Sequence, residues 1–233
     1  NKNNLLSVIK KNKPQIFFHL AAQTLVIKSY LDPKTTFETN VIGAANVLDA
    51  CKDQKYLRSL IIVTSDKCYL NLGEKKNFKE NSPLGGNDPY SCSKAMVERL
   101  VKIYLNRTYK KTLIGLATVR AGNVIGGGDF SENRIIPDII KHIVNKKRLT
   151  LRNPKSYRPW QHVFDVLSGY LNLGIKLSKN KNKFSGPYNF GPKIKKNYTV
   201  LKLTQKFLDK LIKNKYKIKF NKSNLFESDY LNI

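Results

Sequence analysis

The chain has 233 residues, of which 41% are hydrophobic and 25% charged. That composition excludes collagenous, low-complexity and disulfide-scaffold classes and can bury a core. Lys+Arg 43 against Asp+Glu 16 gives a net charge of +27, yet 35 of the basic residues are Lys and only 8 are Arg, beside 24 Asn. The lysines are spread through every segment, and no nucleic-acid-binding signature accompanies them. The charge therefore reads as a solvated, compositionally biased surface that also attracts small anions, not as a nucleic-acid interface.

In chain order, residues 5–11 read as the end of a helix. Gln15–Leu20 is a short apolar run, a buried strand closed by Ala21-Ala22-Gln23. Residues 33–54 read as one helix, with Pro33 near its start and Phe37, Val41, Ala44, Ala45, Leu48 and Cys51 at helical spacing. Leu60–Ser65 is a second buried strand that ends in polar residues. Residues 71–89 are loop, residues 90–109 helix, and Leu113–Val119 a third buried strand. Strands apolar throughout, alternating with helices, predict a parallel sheet covered on both faces. Ligands then lie at the strands' carboxyl ends, here His19–Gln23, Thr64–Lys67 and Arg120–Asn123.

After Gly126-Gly127-Gly128 the pattern loosens. Helices are expected at 135–146, 163–177 and 199–213, short strands at 148–152 and up to Gly191, and a polar loop at 178–187. This divides the chain into a parallel-sheet part, residues 1–130, and a smaller intertwined lobe, residues 131–233. No apolar run is long enough for a membrane span. Cys51, Cys68 and Cys92 have no paired spacing, which fits free thiols in a reducing, cytoplasmic compartment. His19, His142 and His162 show no ligand spacing, so no metal site is expected.

The sharpest local feature is Tyr90-Ser91-Cys92-Ser93-Lys94 at a helix start. The i, i+4 spacing puts Tyr90 and Lys94 on one face. A nearby ammonium lowers the pKa of a phenol, so Tyr90 can accept a proton from an alcohol being oxidised. Thr64-Ser65-Asp66-Lys67-Cys68-Tyr69 follows the central strand and supplies a hydroxyl and a carboxyl next to that pair.

HLAAQ at 19–23, ETNVIGAANVLDAC at 38–51, TSDKCY at 64–69, DPYSCSKAMVE at 88–98 and VRAGNVIGGGD at 119–129 together resemble the extended short-chain dehydrogenase/reductases. SDKCY, RAGNVIGGGDF, RNPKSYRPWQHV at 152–163 and YNFGP at 188–192 are similar, within that family, to the CDP-glucose 4,6-dehydratase branch. The resemblance implies an α/β fold: a Rossmann-like doubly wound parallel sheet, N-terminally truncated, with a smaller C-terminal substrate-binding lobe. The family's Gly-x-x-Gly-x-x-Gly loop does not precede His19, and Phe226 stands where the late segment at 227–231 leads us to expect histidine. The expectation is an internal fragment lacking that loop and a C-terminal tail.

The resemblance further implies NAD as a recycled cofactor and a nucleotide sugar, CDP-glucose, as substrate. Oxidation at sugar carbon 4 acidifies the hydrogen on carbon 5, water leaves across carbons 5 and 6, and carbon 6 is reduced. By this likeness Tyr90 is the base for the carbon-4 hydroxyl, with Lys94 lowering its pKa and holding the nicotinamide ribose. Ser65 hydrogen-bonds the same hydroxyl, and Asp66 protonates the departing one. Lys67 stands where related dTDP-glucose dehydratases carry a Glu base; it takes the carbon-5 proton or positions the group that does. Leu20, Ala21, Ala22, Asn40 and Thr64 are cofactor-side candidates. Core packing is the other reading of the first four. Asn123, Arg134, Arg152, Arg158 and Asn189 are substrate-side candidates, because a guanidinium fork matches phosphate oxygens. Trp160 is expected to pack rather than stack on a base, His162 to be structural, and Cys68 and Cys92 to be small buried side chains. A homodimer through a four-helix bundle of helices 33–54 and 90–109 is implied. An epimerase or a dTDP- or GDP-hexose dehydratase is the alternative, and Asp66 argues against the epimerase, which needs no acid for a leaving hydroxyl. A nucleic-acid-binding protein and an inactive remnant are the readings from other classes.

Overall fold

A computed structural model describes residues 2–145, 148–193, 198–211, 218–220 and 229–233. The first helix, α1 (Lys2–Asn12), leads into β1 (Ile16–His19). Two helices follow, α2 (Val26–Leu31) and α3 (Pro33–Phe37); the latter runs through a π-helical turn, Glu38–Ile42, into α4 (Gly43–Cys51). The central strand β2 (Ser59–Val63) ends in a 3₁₀ turn at Asp66–Cys68, and α5 (Pro89–Arg107) precedes β3 (Gly115–Ala121) and β4 (Val124–Ile125). The remaining elements are α6 (Ile135–Asn145), β5 (Leu149–Leu151), β6 (Tyr157–Arg158), β7 (Gln161–His162), α7 (Val163–Lys179), α8 (Lys181–Phe184), β8 (Gly186–Phe190), β9 (Tyr198–Thr199), α9 (Val200–Leu211) and β10 (Ile218–Phe220).

The main sheet is four-stranded and parallel, in the order β1-β2-β3-β8. Its strands are apolar throughout because both faces are covered. Alternate residues serve opposite cores. Leu60, Ile62 and Leu116 pack with Leu48, Val97 and Val101 from α4 and α5. Ile61, Ala117 and Val119 pack with Val166, Tyr170, Leu173 and Leu177 from α7. Thus α7 and β8, although late in the chain, belong to the main sheet. The other lobe closes around Ile139, Leu149, Leu151 and Leu208.

The structure departs from the sequence reading in specific places. The expected 33–54 helix is several segments: Asp32 caps α3 by accepting from the Thr35 amide at 3.0 Å, and the π turn interrupts the ladder at Asn40. The helix α2 and five of the six shortest strands lack the length or periodicity that sequence patterns detect. The polar segment 178–187 contains α8, capped by the Asn180 side chain. The end of the expected 135–146 helix, residues 212–213 of the 199–213 helix, and Phe226, Glu227 and Ser228 lie outside the described residues.

Loop 71–88 is seated on α5 rather than free. A Cβ at Gly86 would lie 2.4 Å from the Cys92 backbone nitrogen, so only glycine permits that approach. Tyr69 stacks on Phe78 with ring centroids 4.9 Å apart. The segment 229–233 straps this loop to the second lobe: Phe78 N–H donates to Asn232 O at 2.9 Å and Tyr157 N–H to Asp229 O at 2.8 Å.

Candidate active site

The carboxyl ends of β2 and β3 and the start of α5 open into one cleft of about 470 Å³, closed on the far side by residues of the second lobe. Thr64, Ser65, Asp66, Lys67 and Tyr90 form its inner wall; Asn123, Arg134, Arg152 and Arg158 line the rest. Leu20, at the β1 end, sits at its mouth. Parallel-sheet topology explains the gathering, because every βα turn emerges at the same edge.

Asp66 is buried, its Oδ1 accepting from the Ser65 hydroxyl at 3.0 Å. Its Oδ2 is buried with no hydrogen-bond partner among the described residues. Burial pushes its carboxyl up to about 6, against the pull of the Lys67 ammonium, the Ser65 hydrogen bond and the Arg158 guanidinium. A carboxylic acid with one unengaged oxygen at the wall of a cleft can donate a proton near neutral pH. The Ser65 hydroxyl also accepts from the Lys67 amide at 3.2 Å, which fixes the 3₁₀ turn.

Tyr90 sits in the first turn of α5. Pro89 occupies a first-turn position, and Asp88 caps the helix by accepting from the Ser91 amide at 2.9 Å. Here one expectation is corrected. Burial pushes the phenol up to about 12, drawn back mainly by Ser65 within hydrogen-bonding reach; the Arg134 charge also lowers it, while Asp66 and Asp88 raise it. The Lys94 ammonium lies 5.9 Å from the ring centroid and donates to the Val63 carbonyl at 3.2 Å. Burial also brings Lys94 itself down to about 8, opposed by Glu98 and Cys68.

The other candidates divide. Arg134 reaches Thr24 Oγ1 at 3.2 Å, and Arg152 holds the Asn133 side-chain and backbone oxygens at 3.3 and 3.2 Å. Arg158 is buried and donates to Tyr157 O at 2.8 Å. Leu20 is 53% exposed, so the core-packing reading fails for it; Ala21 is exposed as well, and neither Ala21 nor Ala22 lines this cleft. Asn40 is buried behind the site. Its amide donates to Gln23 O and Ser93 Oγ, and its Oδ1 accepts from the Gln23 amide at 2.8 Å, tying the β1 exit to α5. The Thr64 side chain turns inward to the Glu98 carboxylate.

Asn189 needs correction: its amide donates to Phe78 O at 3.0 Å and its Oδ1 accepts from the Tyr69 hydroxyl at 2.6 Å, so it anchors loop 71–88 outside the cleft. Trp160 does line the cleft, its indole N–H held by Tyr198 O at 3.1 Å. His162 caps α7 by accepting from the Phe164 amide at 3.2 Å. Cys68 is fully buried, with burial raising its thiol pKa, whereas Cys92 is only partly covered.

Sequence reasoning passed over the buried carboxylate of Glu98. It accepts from Thr118 Oγ1 at 2.8 Å and pairs with Arg120 at 2.6 Å, both side chains 3% exposed. The signal was present as an acidic residue four positions after Lys94 on an otherwise apolar helix face.

Comparison with known proteins gives a consistent picture. The family described as GDP-mannose 4,6 dehydratase matches residues 1–185. CDP-glucose 4,6-dehydratase of Salmonella typhimurium is 44% identical over 186 residues, 78% of this chain and 52% of that protein. dTDP-D-glucose 4,6-dehydratase of Dictyostelium discoideum is 31% identical over 177 residues, 71% of this chain and 39% of the relative. This chain thus spans about half, or less, of the length of these relatives. Among solved structures, dTDP-glucose 4,6-dehydratase of Bacillus anthracis in complex with NAD superposes with a TM-score of 0.80 at 26% identity, covering 100% of this chain and 67% of the other. UDP-glucose 4-epimerase of Thermus thermophilus, in complex with NAD, gives 0.86 at 21% identity, covering 100% and 73%. The fold is the Rossmann-like parallel sheet of these proteins.

Proposed function

This chain belongs to the GDP-mannose 4,6-dehydratase family, and from that premise we propose that it carries the active site of a lyase: NAD-dependent dehydration of CDP-glucose to CDP-4-keto-6-deoxyglucose. The observation that carries the reading is Asp66, a buried carboxyl with a raised pKa and one unengaged oxygen, in the same cleft as Tyr90 and Ser65. Epimerisation at carbon 4 gives such an acid no task, whereas loss of the carbon-6 hydroxyl requires one. The family relative of 44% identity supports the cytidine nucleotide.

Tyr90 would take the proton from the carbon-4 hydroxyl as a phenolate, the positive charge of a bound nicotinamide offsetting the burial that raises its phenol to about 12, with Ser65 hydrogen-bonding that oxygen. Asp66 hands its proton to the departing hydroxyl. Lys67, on the same turn, takes the carbon-5 proton or positions the group that does. Arg134, Arg152 and Arg158 hold the diphosphate across the cleft; Asn123 faces the sugar. The residues present fit the nicotinamide end of NAD. Tyr90 lines the cleft with Lys94 buried one turn behind it, and the β1 exit, exposed at Leu20 and Ala21 and half-buried at Ala22, presents small or apolar surface to a flat ring. Held there, NAD would supply a hydride acceptor for carbon 4 and, once reduced, a hydride donor for carbon 6.

The lobe division at residue 130 follows the same reading, with residues 131–233 contributing the arginines while lending α7 and β8 to the sheet. Met96 and Ile103, 45% and 61% exposed and two turns apart on one face of α5, together with Ile42 on the preceding helix layer, form the surface for a homodimer through four helices. Among the described residues no helix is long and apolar enough to cross a membrane; free cysteines add to the expectation of a cytoplasmic enzyme. The test is mass spectrometry of CDP-glucose incubated with the protein and NAD. A product lighter by one water is expected, and Asp66→Asn lowers its rate about 10²–10⁴-fold. An isomer of unchanged mass would instead assign an epimerase.

A further inference from the structure

Glu98 lies one turn beyond Lys94 on α5 and is buried with it. Its two carboxylate oxygens are both engaged, by groups at the end of β2 and on β3. Oε1 accepts from Thr64, the residue just before Ser65 and Asp66. Oε2 accepts from Thr118 at 2.8 Å and from the Arg120 guanidinium at 2.6 Å, both on β3. Arg120 passes the connection on to Tyr69 Oη at 2.7 Å and to Glu80 O at 3.0 Å in loop 71–88. The helix that carries Tyr90 and Lys94 and the strand end that carries Ser65 and Asp66 are therefore joined through one side chain.

We propose that Glu98 is a positioning residue for the tyrosine–lysine pair: it locks the end of β2 against α5 and supplies the buried negative charge against which the Lys94 ammonium is held. The inference deepens the dehydratase reading and rests on it for its purpose, though its geometry is independent of any substrate. Two observations carry it. One is the convergence just described. The other is what surrounds Lys94. Its ammonium is bonded to the Val63 carbonyl, with the Tyr90 ring 5.9 Å away, and the ionisable groups facing it are Glu98 on its own helix, Cys68 in the 3₁₀ turn and His19 at the end of β1. Cys68 is a buried thiol whose pKa burial raises, and the pKa of His19 is lowered by burial and by Lys94 itself, so both are neutral near pH 7. Glu98 is the one carboxylate among these groups, and it favours the charged lysine.

Burial of an ion pair does not by itself stabilise a fold. A purely architectural Glu98–Arg120 pair would leave the protonation of Lys94 untouched when replaced, provided the chain still folds. The positioning role does not.

The experiment is an NMR titration of the full 233-residue chain labelled with carbon-13 at the lysine ε position, with the Lys94 signal identified by its loss in Lys94→Met. In the unaltered chain Lys94 is expected to titrate near 8. In Glu98→Gln its midpoint falls by about 1 pH unit or more, and Glu98→Asp restores most of that loss. Should Glu98→Gln fail to fold by circular dichroism, Glu98→Gln with Arg120→Met removes both buried charges together, and Lys94 is expected to fall there as well. A folded variant of either kind with an unmoved Lys94 midpoint overturns the proposal. The readout needs no nucleotide sugar. A midpoint that moves in a chain that never dehydrates CDP-glucose sinks the dehydratase reading and leaves the positioning role standing.

Discussion

The two walls of the cleft are built on opposite principles. Behind the inner wall lies a buried polar network: Thr64, Thr118 and Arg120 converge on Glu98, and Asn40 clamps the β1 exit to Ser93. On the outer wall, Arg134 and Arg152 are partly exposed and lightly held, Arg134 by one 3.2 Å contact to Thr24 and a 3.9 Å approach to Asp129. The contrast follows from what each wall handles. Proton transfer needs atoms fixed to within fractions of an ångström, whereas a diphosphate can be gathered by mobile forks that find its oxygens. The inner wall is thus the costly part of the molecule, and the outer wall the adjustable one.

The sharpest way to break that comparison is to remove one charge from each wall. Arg120→Met leaves Glu98 buried with hydroxyls as its only hydrogen-bond partners among the described residues, and stability by urea unfolding is expected to fall by about 3–5 kcal/mol. Arg152→Met, whose partners are Asn133 oxygens near solvent, should stay within about 0.5 kcal/mol. Equal losses would mean that the walls do not differ in kind.

A second test sharpens it with pH. The Asp66 carboxyl is raised by burial to about 6 from 3.8, so the folded chain holds its proton more tightly than the unfolded one. Its contribution to stability is complete below pH 3.8 and is lost as pH rises through about 6. At about 1.4 kcal/mol per pKa unit, the cost at pH 7 is about 3 kcal/mol. Asp66→Asn is expected to be more stable than the unaltered chain at pH 7 by about that amount, and to lose the advantage by pH 4, in paired urea titrations. A stability difference independent of pH would show that Asp66 is not strained by its burial.

On the outer wall the effect is on binding. Arg152→Ala and Arg134→Ala should each weaken binding of cytidine diphosphate, read by calorimetry, by about 10-fold or more, with the loss shrinking at high salt. Lys replacements recover only part of it, because an ammonium cannot make the two parallel bonds.

This division also explains what could be read from the residues alone. The sheet was legible because its strands are apolar on both faces, and the cleft because strand ends of a parallel sheet share an edge. Ser65, Asp66, Lys67 and Tyr90 were legible as polar residues at those ends. The direction of the Tyr90 shift was not: i, i+4 spacing puts two side chains on one face without saying which atoms meet, and Lys94 reaches the Val63 carbonyl instead of the phenol oxygen. Asn189 was misread because motif position carries no information on a side chain's partners, here Phe78 and Tyr69. Glu98 was missed because its partners lie 20 to 34 residues away, beyond any local pattern.

The smallest expected effect concerns the joint between the walls, the first turn of α5. Asp88 accepts from both the amide and the hydroxyl of Ser91, at 2.9 and 2.5 Å, and Tyr90 lies between them in sequence. Removing the cap frees helix amides that have no other acceptor, so Asp88→Ala should cost about 1 kcal/mol in urea unfolding. Asn at the same position can still accept from the amide and should cost less. Since Tyr90 lies in this first turn, its backbone N–H held by Ser29 Oγ at 3.2 Å, fraying of the turn loosens the phenol before it loosens Lys94, one turn deeper. Amide hydrogen exchange would show it: faster exchange at Tyr90 and Ser91 in Asp88→Ala, with residues beyond Lys94 unchanged. Uniform acceleration along α5 would mean that the helix opens as one unit, and the inner wall would then be only as rigid as its cap.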